Sequence, residues 1–209
     1  MASTYRFLYA IGFTPWERMG REQPVVDQIE ALFAREEQGR ERPFGRALDL
    51  GCGSGIWSVK LAQRGWDVTG LDFVPKALRR AADRARATGV DVALVQGDVT
   101  RLEDANIGAG FVLMLDFGVF HDELSDEQRI AMAGRVTAVA DVGTTLLMIA
   151  CQPGRRGPLP RGASRADIEG AYRGWSITDE EPMDVSAAPR MVRRAAPRLF
   201  RLRREPQYP

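Results

Sequence analysis

The sequence predicts an α/β fold: a doubly wound, mostly parallel seven-stranded sheet with helices on both faces and an antiparallel C-terminal strand. Through residues 45–152, apolar runs alternate with stretches of helical period, the order that builds a parallel sheet covered on both sides. Beyond that point the alternation stops. Two strand-like segments near 174–181 and 198–204 follow one another with only a loop between them, which predicts an antiparallel hairpin at one edge of the sheet. A length of 209 residues suits a single domain that buries its core without metal or disulfide staples.

The elements follow in order. Residues 24–38 have the spacing of an amphipathic helix, with Val25, Val26, Ile29, Leu32 and Phe33 on one face. Five apolar runs read as buried strands: "ALDLG" at 47–51, "WDVTGLD" at 66–72, "VALVQGD" at 92–98, "FVLMLDFG" at 111–118 and "TTLLMIAC" at 144–151. The helix over 56–64 is closed by Gly65. The next, over 75–88, opens on Pro75 and is closed by Gly89, with proline just inside the start and glycine just past the end. A further helix follows the fourth strand, where Ser125 and Gln128 have capping-box spacing. After residue 151 a loop rich in proline and glycine leads into a short helix, and the two terminal strands complete the count.

Composition narrows the function classes. With 44% hydrophobic and 27% charged residues and a formal net charge of +1, nothing draws the chain strongly toward nucleic acid. Cys52, Cys151 and the single His121 cannot complete a four-ligand Cys/His zinc site, and no metal is expected. The first residues lack the pattern of a secretory signal, and no apolar run approaches membrane-spanning length, so the cytoplasm is the expected compartment and no membrane partner is expected.

Gly51, Gly53 and Gly55 fall where the first strand turns into its helix, the place at which doubly wound sheets bind ligands. Glycine there permits positive φ and close approach of a ligand to the backbone. A P-loop needs a lysine after its glycines, and none follows here. A dinucleotide fingerprint needs a third glycine where Ile56 stands. A nucleotide-like or zwitterionic ligand fits the remaining spacing.

Asp49 followed by Gly51, Gly53 and Gly55 resembles the first motif of class I S-adenosylmethionine-dependent methyltransferases. The later strand ends strengthen the resemblance, since they carry Asp72, Asp98 and Asp116 in order. It covers residues 45–152 and implies a Rossmann-like methyltransferase fold, whose last strand runs antiparallel, with S-adenosyl-L-methionine as cofactor. It also implies roles. Asp49, Gly51, Cys52, Gly53 and Gly55 would form the cradle, and Asp72, with Phe73 beside it, would accept the ribose hydroxyls. Asp98 would meet the adenine amino group and the Val99 N–H an adenine nitrogen. Asp116 and Phe117 would lie beside the methionyl part.

"LDFGVFHDEL" is similar to the D-x-G-x-F-H stretch of small-molecule enzymes near the thiopurine and tellurite group, and "YRFLYAIGFTPWERMG" looks like that group's aromatic N-terminal lid. The implied organisation is one domain: a helical cap over 1–40, a cofactor-binding core over 45–152, and a C-terminal helix and hairpin over 153–209. The acceptor is expected to be a small apolar or heterocyclic molecule methylated at O, S or N, and the chain to be a monomer or homodimer. An RNA or protein methyltransferase, or a catalytically silent cofactor-binding module, stands as the alternative. His121 is either a general base, with Asp116 as its catalytic companion near the sulfonium, or a residue that shapes its loop. Trp16 is either a lid over substrate or an anchor for the N-terminal segment, and Phe120 is a substrate-side candidate. The arginines of "RLFRLRR" read either as the outer side of an edge strand or as a nucleic-acid surface.

Overall fold

The computed structural model describes residues 2–122, 124–154 and 161–206. Strand β1 (Arg46–Leu50) lies between β2 (Asp67–Asp72) and β4 (Phe111–Asp116), parallel to both. Outward from β2 comes β3 (Ala93–Gln96); outward from β4 come β5 (Ala140–Ala150), β7 (Arg198–Arg204) and β6 (Trp175–Pro182). The chain leaves β1 in one direction through β2 and β3, then returns to place β4 on the other side. The switch point is therefore the crevice at the carboxyl ends of β1 and β4.

Strand alternation divides the core. Ala47, Leu113, Leu115, Leu147 and Ile149 face α3 (Gln23–Glu37) and α4 (Ile56–Arg64), while Leu48, Leu50, Met114, Leu146 and Met148 face α6 (Asp126–Val139) and α7 (Arg165–Ala171). Between β2 and β3 runs α5 (Pro75–Thr88), and a 3-10 turn follows β3 over Val99–Ala105. The end signals read from the sequence are present. Gly65 and Gly89 close their helices at φ 111° and 69°, and Ser125 and Gln128 form a reciprocal capping box.

Three expectations are corrected. β7 is not at an edge: it pairs antiparallel with β5 on one side and β6 on the other, and the short helix α8 (Arg190–Ala195) lies between β6 and β7. Its arginines accordingly meet the protein. Arg201 is bonded to the buried Glu36 at 2.5 Å, Arg198 forms an ion pair with Glu180 at 2.6 Å, and Arg203 donates to Thr145. Second, β3 is the outermost strand at the opposite edge, so Ala93 and Gln96 are exposed and the apolar run "VALV" is only half-buried. Third, β5 begins at Ala140, several residues before the apolar run that marks it. Part of the proline- and glycine-rich loop, residues 155–160, lies outside the described residues.

The N-terminal helices α1 (Ala2–Ile11) and α2 (Pro15–Met19) lie over the ends of β1 and β2. Tyr5, Tyr9 and Trp16 pack with Phe73, Val74 and Ala77 as a small separate cluster. Trp16 meets Tyr5 and Tyr9 edge-on, with ring centroids at 5.2 and 5.8 Å, and Tyr5 meets Phe73 at 6.1 Å. Each such pair contributes about 0.5–1.5 kcal/mol beyond its buried area.

Candidate functional site

The loop after β1 turns sharply, with Gly51, Gly53 and Gly55 at φ 67°, 56° and 71°. Only glycine adopts such angles at little cost. Space adds a second requirement, and it comes from the protein itself. A Cβ would stand 2.5 Å from Val119 at Gly51, 2.8 Å from the Tyr9 hydroxyl at Gly53, and 2.8 Å from Ala81 at Gly55. The three glycines thus seat the loop after β4, the N-terminal helices and α5 against one turn.

Each acid predicted at a strand end is held differently. Asp49 is buried and accepts from Ser58 Oγ at 2.5 Å; burial, with Asp72 and Asp116 nearby, pushes its pKa up to about 7. Asp72 accepts from the Gly53 N–H at 2.9 Å through one oxygen and from the Val74 N–H at 2.7 Å through the other. Burial raises its pKa despite these bonds, and Glu17 adds to the rise. A carboxylate has about four acceptor positions, so acceptor capacity remains. Asp98 accepts from the Thr100 N–H and hydroxyl and caps the 3-10 turn, while the Val99 side chain is buried in the core beside Leu71 and Leu102.

Asp116 belongs to the other face. Strand alternation points it with Met114 toward α6, where it accepts from the N–H groups of Gly118, Val119 and Phe120. Burial pushes its pKa up to about 6, against the pull of those bonds. Phe120 is fully buried against Tyr172 and under the Arg129 guanidinium. His121 is 7% exposed; its Nδ1 stands 3.0 Å from the Ile149 carbonyl, and the Cys151 N–H donates toward the same nitrogen at 3.1 Å. Burial pushes its pKa down to about 4. Phe117, one residue on from Asp116, turns to the α3 and α4 face and meets Trp57 edge-on at 5.8 Å.

One cavity gathers part of this set. Asp49, Gly51, Cys52, Gly53 and Ser54 form its floor, Trp16 and Glu17 cover it, and Val25, Ile29, Trp57, Phe117, Ile149 and Met183 make an apolar wall. Of the residues expected from sequence, Trp16, Asp49, Gly51, Cys52, Gly53 and Phe117 line it. Asp72 and Gly55 are not part of the lining, though Asp72 holds its loop through the Gly53 N–H. Phe73 faces the N-terminal helix, and Asp98, Val99, Asp116, Phe120 and His121 lie away from the wall. The sequence reading missed Glu17, Trp57, Ile149 and Met183. Trp57 stands two residues after Gly55, and Glu17 directly follows Trp16, which was the available signal.

Residues 47–143 match the family described as a methyltransferase domain. Over that stretch the chain is similar to methyltransferase domains, and its fold is the one seen in methyltransferases solved with SAM or SAH bound. It resembles the ubiquinone biosynthesis O-methyltransferase of Pectobacterium atrosepticum, at 36% identity over 100 residues, 47% of this chain and 42% of that one. The matched stretch is therefore less than half of that relative's length. The magnesium protoporphyrin IX methyltransferase of Synechocystis PCC 6803, solved with bound SAH, superposes with a TM-score of 0.73 at 20% identity, covering 98% of this chain and 99% of that one. The N-methyltransferase NodS of Bradyrhizobium japonicum WM9 gives 0.70 at 16% identity over 90% of each chain. At such identities these two likenesses carry the fold. Among the described residues, no helix is long and apolar enough to cross a membrane.

Proposed function

We propose that this chain transfers a methyl group from S-adenosyl-L-methionine to a small, apolar or heterocyclic acceptor at O, S or N. The observation that carries the reading is the two-sided cavity: a glycine loop with buried carboxylates on one side, an apolar and aromatic wall on the other, and Trp16 over both. A polar loop suits a charged nucleotide-like cofactor, and an apolar wall suits a small organic acceptor. Its neighbourhood to the thiopurine and tellurite branch rests on the D-x-G-x-F-H stretch and the aromatic N-terminal segment.

The donor set fits the cofactor. Asp72 keeps acceptor capacity for a ribose hydroxyl, and Glu17 Oε1 is buried without a hydrogen-bond partner beside the loop. When bound, the cofactor supplies an activated methyl on a positively charged sulfur. The remaining tasks belong to the chain: Asp72 holds the ribose edge, Asp98 and Val99 the adenine edge, and Trp16, Trp57 and Phe117 exclude water and orient the acceptor. His121 works as a positioning residue, fastening the loop after β4 to the end of β5. With a pKa near 4 it stays neutral at working pH, and its bonded nitrogen faces backbone groups of β5 and its end.

Radiolabelled methyl transfer to a panel of small phenols, thiols and amines, with bulk RNA and protein alongside, tests the proposal. Label on a small acceptor supports it. Label on RNA or protein alone moves the chain to the macromolecular class, and no label despite cofactor binding makes it a silent module.

A further inference from the structure

Glu17 is an unusual residue for the place it occupies. It is 9% exposed, it sits on the short helix α2 above the glycine loop, and its Oε1 has no hydrogen-bond partner. A buried carboxylate oxygen without a partner is costly, so proteins keep one where another group completes it. The facing groups serve the carboxylate without reaching that oxygen, with the Tyr9 phenol bonded to Glu17 and a guanidinium beside Oε2. Arg80 stands 3.9 Å from Oε2 while its guanidinium lies over the Tyr9 ring, and Arg84 is engaged by the Ser54 carbonyl. Around the same loop Asp49 and Asp72 are also buried, and the Tyr9 phenol is held well above its ordinary pKa, chiefly by burial and further by Glu17 and Asp72. Glu17 and Asp49 line one cavity, and with Asp72 holding its glycine loop the surroundings carry acidic groups that favour a positively charged ligand.

We propose that Glu17 is the cation-recognition residue of an N-terminal lid, closing on the positive charge of the methyl donor and releasing once that charge is gone. The inference rests on the cofactor reading above. The two forms of the cofactor differ where it matters. S-adenosylmethionine carries a sulfonium; after the acceptor's lone pair takes the methyl carbon, the C–S electron pair stays on sulfur and leaves the neutral thioether of S-adenosylhomocysteine. Both keep the same ammonium, carboxylate, ribose and adenine. A carboxylate on a separately packed pair of helices therefore distinguishes substrate from product by charge, holding the lid down before transfer and loosening it after.

The experiment titrates the full chain calorimetrically with S-adenosylmethionine, with S-adenosylhomocysteine, and with the analogue in which a primary amine replaces the S-methyl group. The same titrations are made on Glu17→Gln and Glu17→Asp. Wild type is expected to bind both cationic ligands more tightly than the thioether. Glu17→Gln is expected to lose about tenfold for the two cations, or 1.4 kcal/mol, while its affinity for the thioether changes less than about twofold. Glu17→Asp, which keeps the charge, should retain most of the preference.

A second readout follows the lid itself. Tryptic cleavage at the exposed Arg18 and Arg21 should be slowed more by S-adenosylmethionine than by the thioether, and Glu17→Gln should erase that difference. The melting temperature of the ligand-free variant should stay within a few degrees of wild type, because Gln keeps the side-chain volume and a carbonyl oxygen in place of one carboxylate oxygen, which shows that it folds. Equal losses for all three ligands, or no change for any, overturn the role of Glu17 while the cofactor reading stands. Failure of wild type to bind any of the three overturns the cofactor reading, and this inference with it.

Discussion

The loops after β1 and β4 both start from a buried aspartate at a parallel strand end, yet they are held in opposite ways. After β4, Asp116 turns back onto its own loop and takes the N–H groups of Gly118, Val119 and Phe120. After β1, Asp49 is spent on Ser58 of the following helix, and the loop is tied instead by a neighbour, with Asp72 of β2 accepting from Gly53. The first arrangement is local and complete. The second leaves its acid with acceptor positions to spare and its loop facing a cavity. Strand alternation is the cause, since Asp49 faces α4 and the cavity while Asp116 faces α6 and the core.

Substitutions break the comparison by degrees. Asp116→Ala should cost the most, about 3 kcal/mol, because it strands buried N–H donors; denaturant unfolding measures it. The loop after β1 should respond to pH instead. With Asp49 held up at about 7 against an unfolded value near 3.9, the folded state keeps a proton that the unfolded state has released across that window. Asp49 therefore costs stability as pH rises from about 4 to 7. Asp49→Asn should gain on wild type by up to about 1.4 kcal/mol per pH unit there, seen in melts at stepped pH. His121 pulls the other way in wild type: held neutral with a pKa near 4, it loses stability as pH falls from about 6.5.

Smaller effects sharpen the picture. Gly53→Ala should cost about 1–2 kcal/mol from its left-handed φ and push Tyr9 outward, detected as faster proteolysis of the N-terminal segment. Ser58→Ala should cost about 1 kcal/mol and raise the Asp49 pKa further. Smallest of all, the pH–rate profile of methyl transfer should show no limb between pH 5 and 8 that His121→Gln removes; such a limb would restore the base role.

Local signals were readable and distant convergence was not. Gly65, Gly89 and the Ser125–Gln128 box mark helix ends through bonds that close within a few residues, so sequence suffices for them. The acid at each strand end was readable too, but not its direction. Asp116 and Phe117 were both assigned to the site, and the two-residue period of the strand sends them to opposite faces. The cavity wall draws Ile29, Trp57 and Ile149 from three separate elements and Met183 from the segment after β6, which no short motif encodes. The position of β7 was hidden for the same reason, because insertion between β5 and β6 is a long-range pairing. Glu17 was passed over because a glutamate on a surface-like helix reads as solvated until the fold buries it.

The most direct test is calorimetric titration of the purified chain with S-adenosylmethionine and S-adenosylhomocysteine, repeated on Asp72→Ala. The account predicts micromolar binding to wild type and a loss of tenfold or more in the variant, about 1.4 kcal/mol or greater, with the fold retained. A folded wild-type protein that binds neither ligand, or an Asp72→Ala variant that binds both as well as wild type, would contradict it.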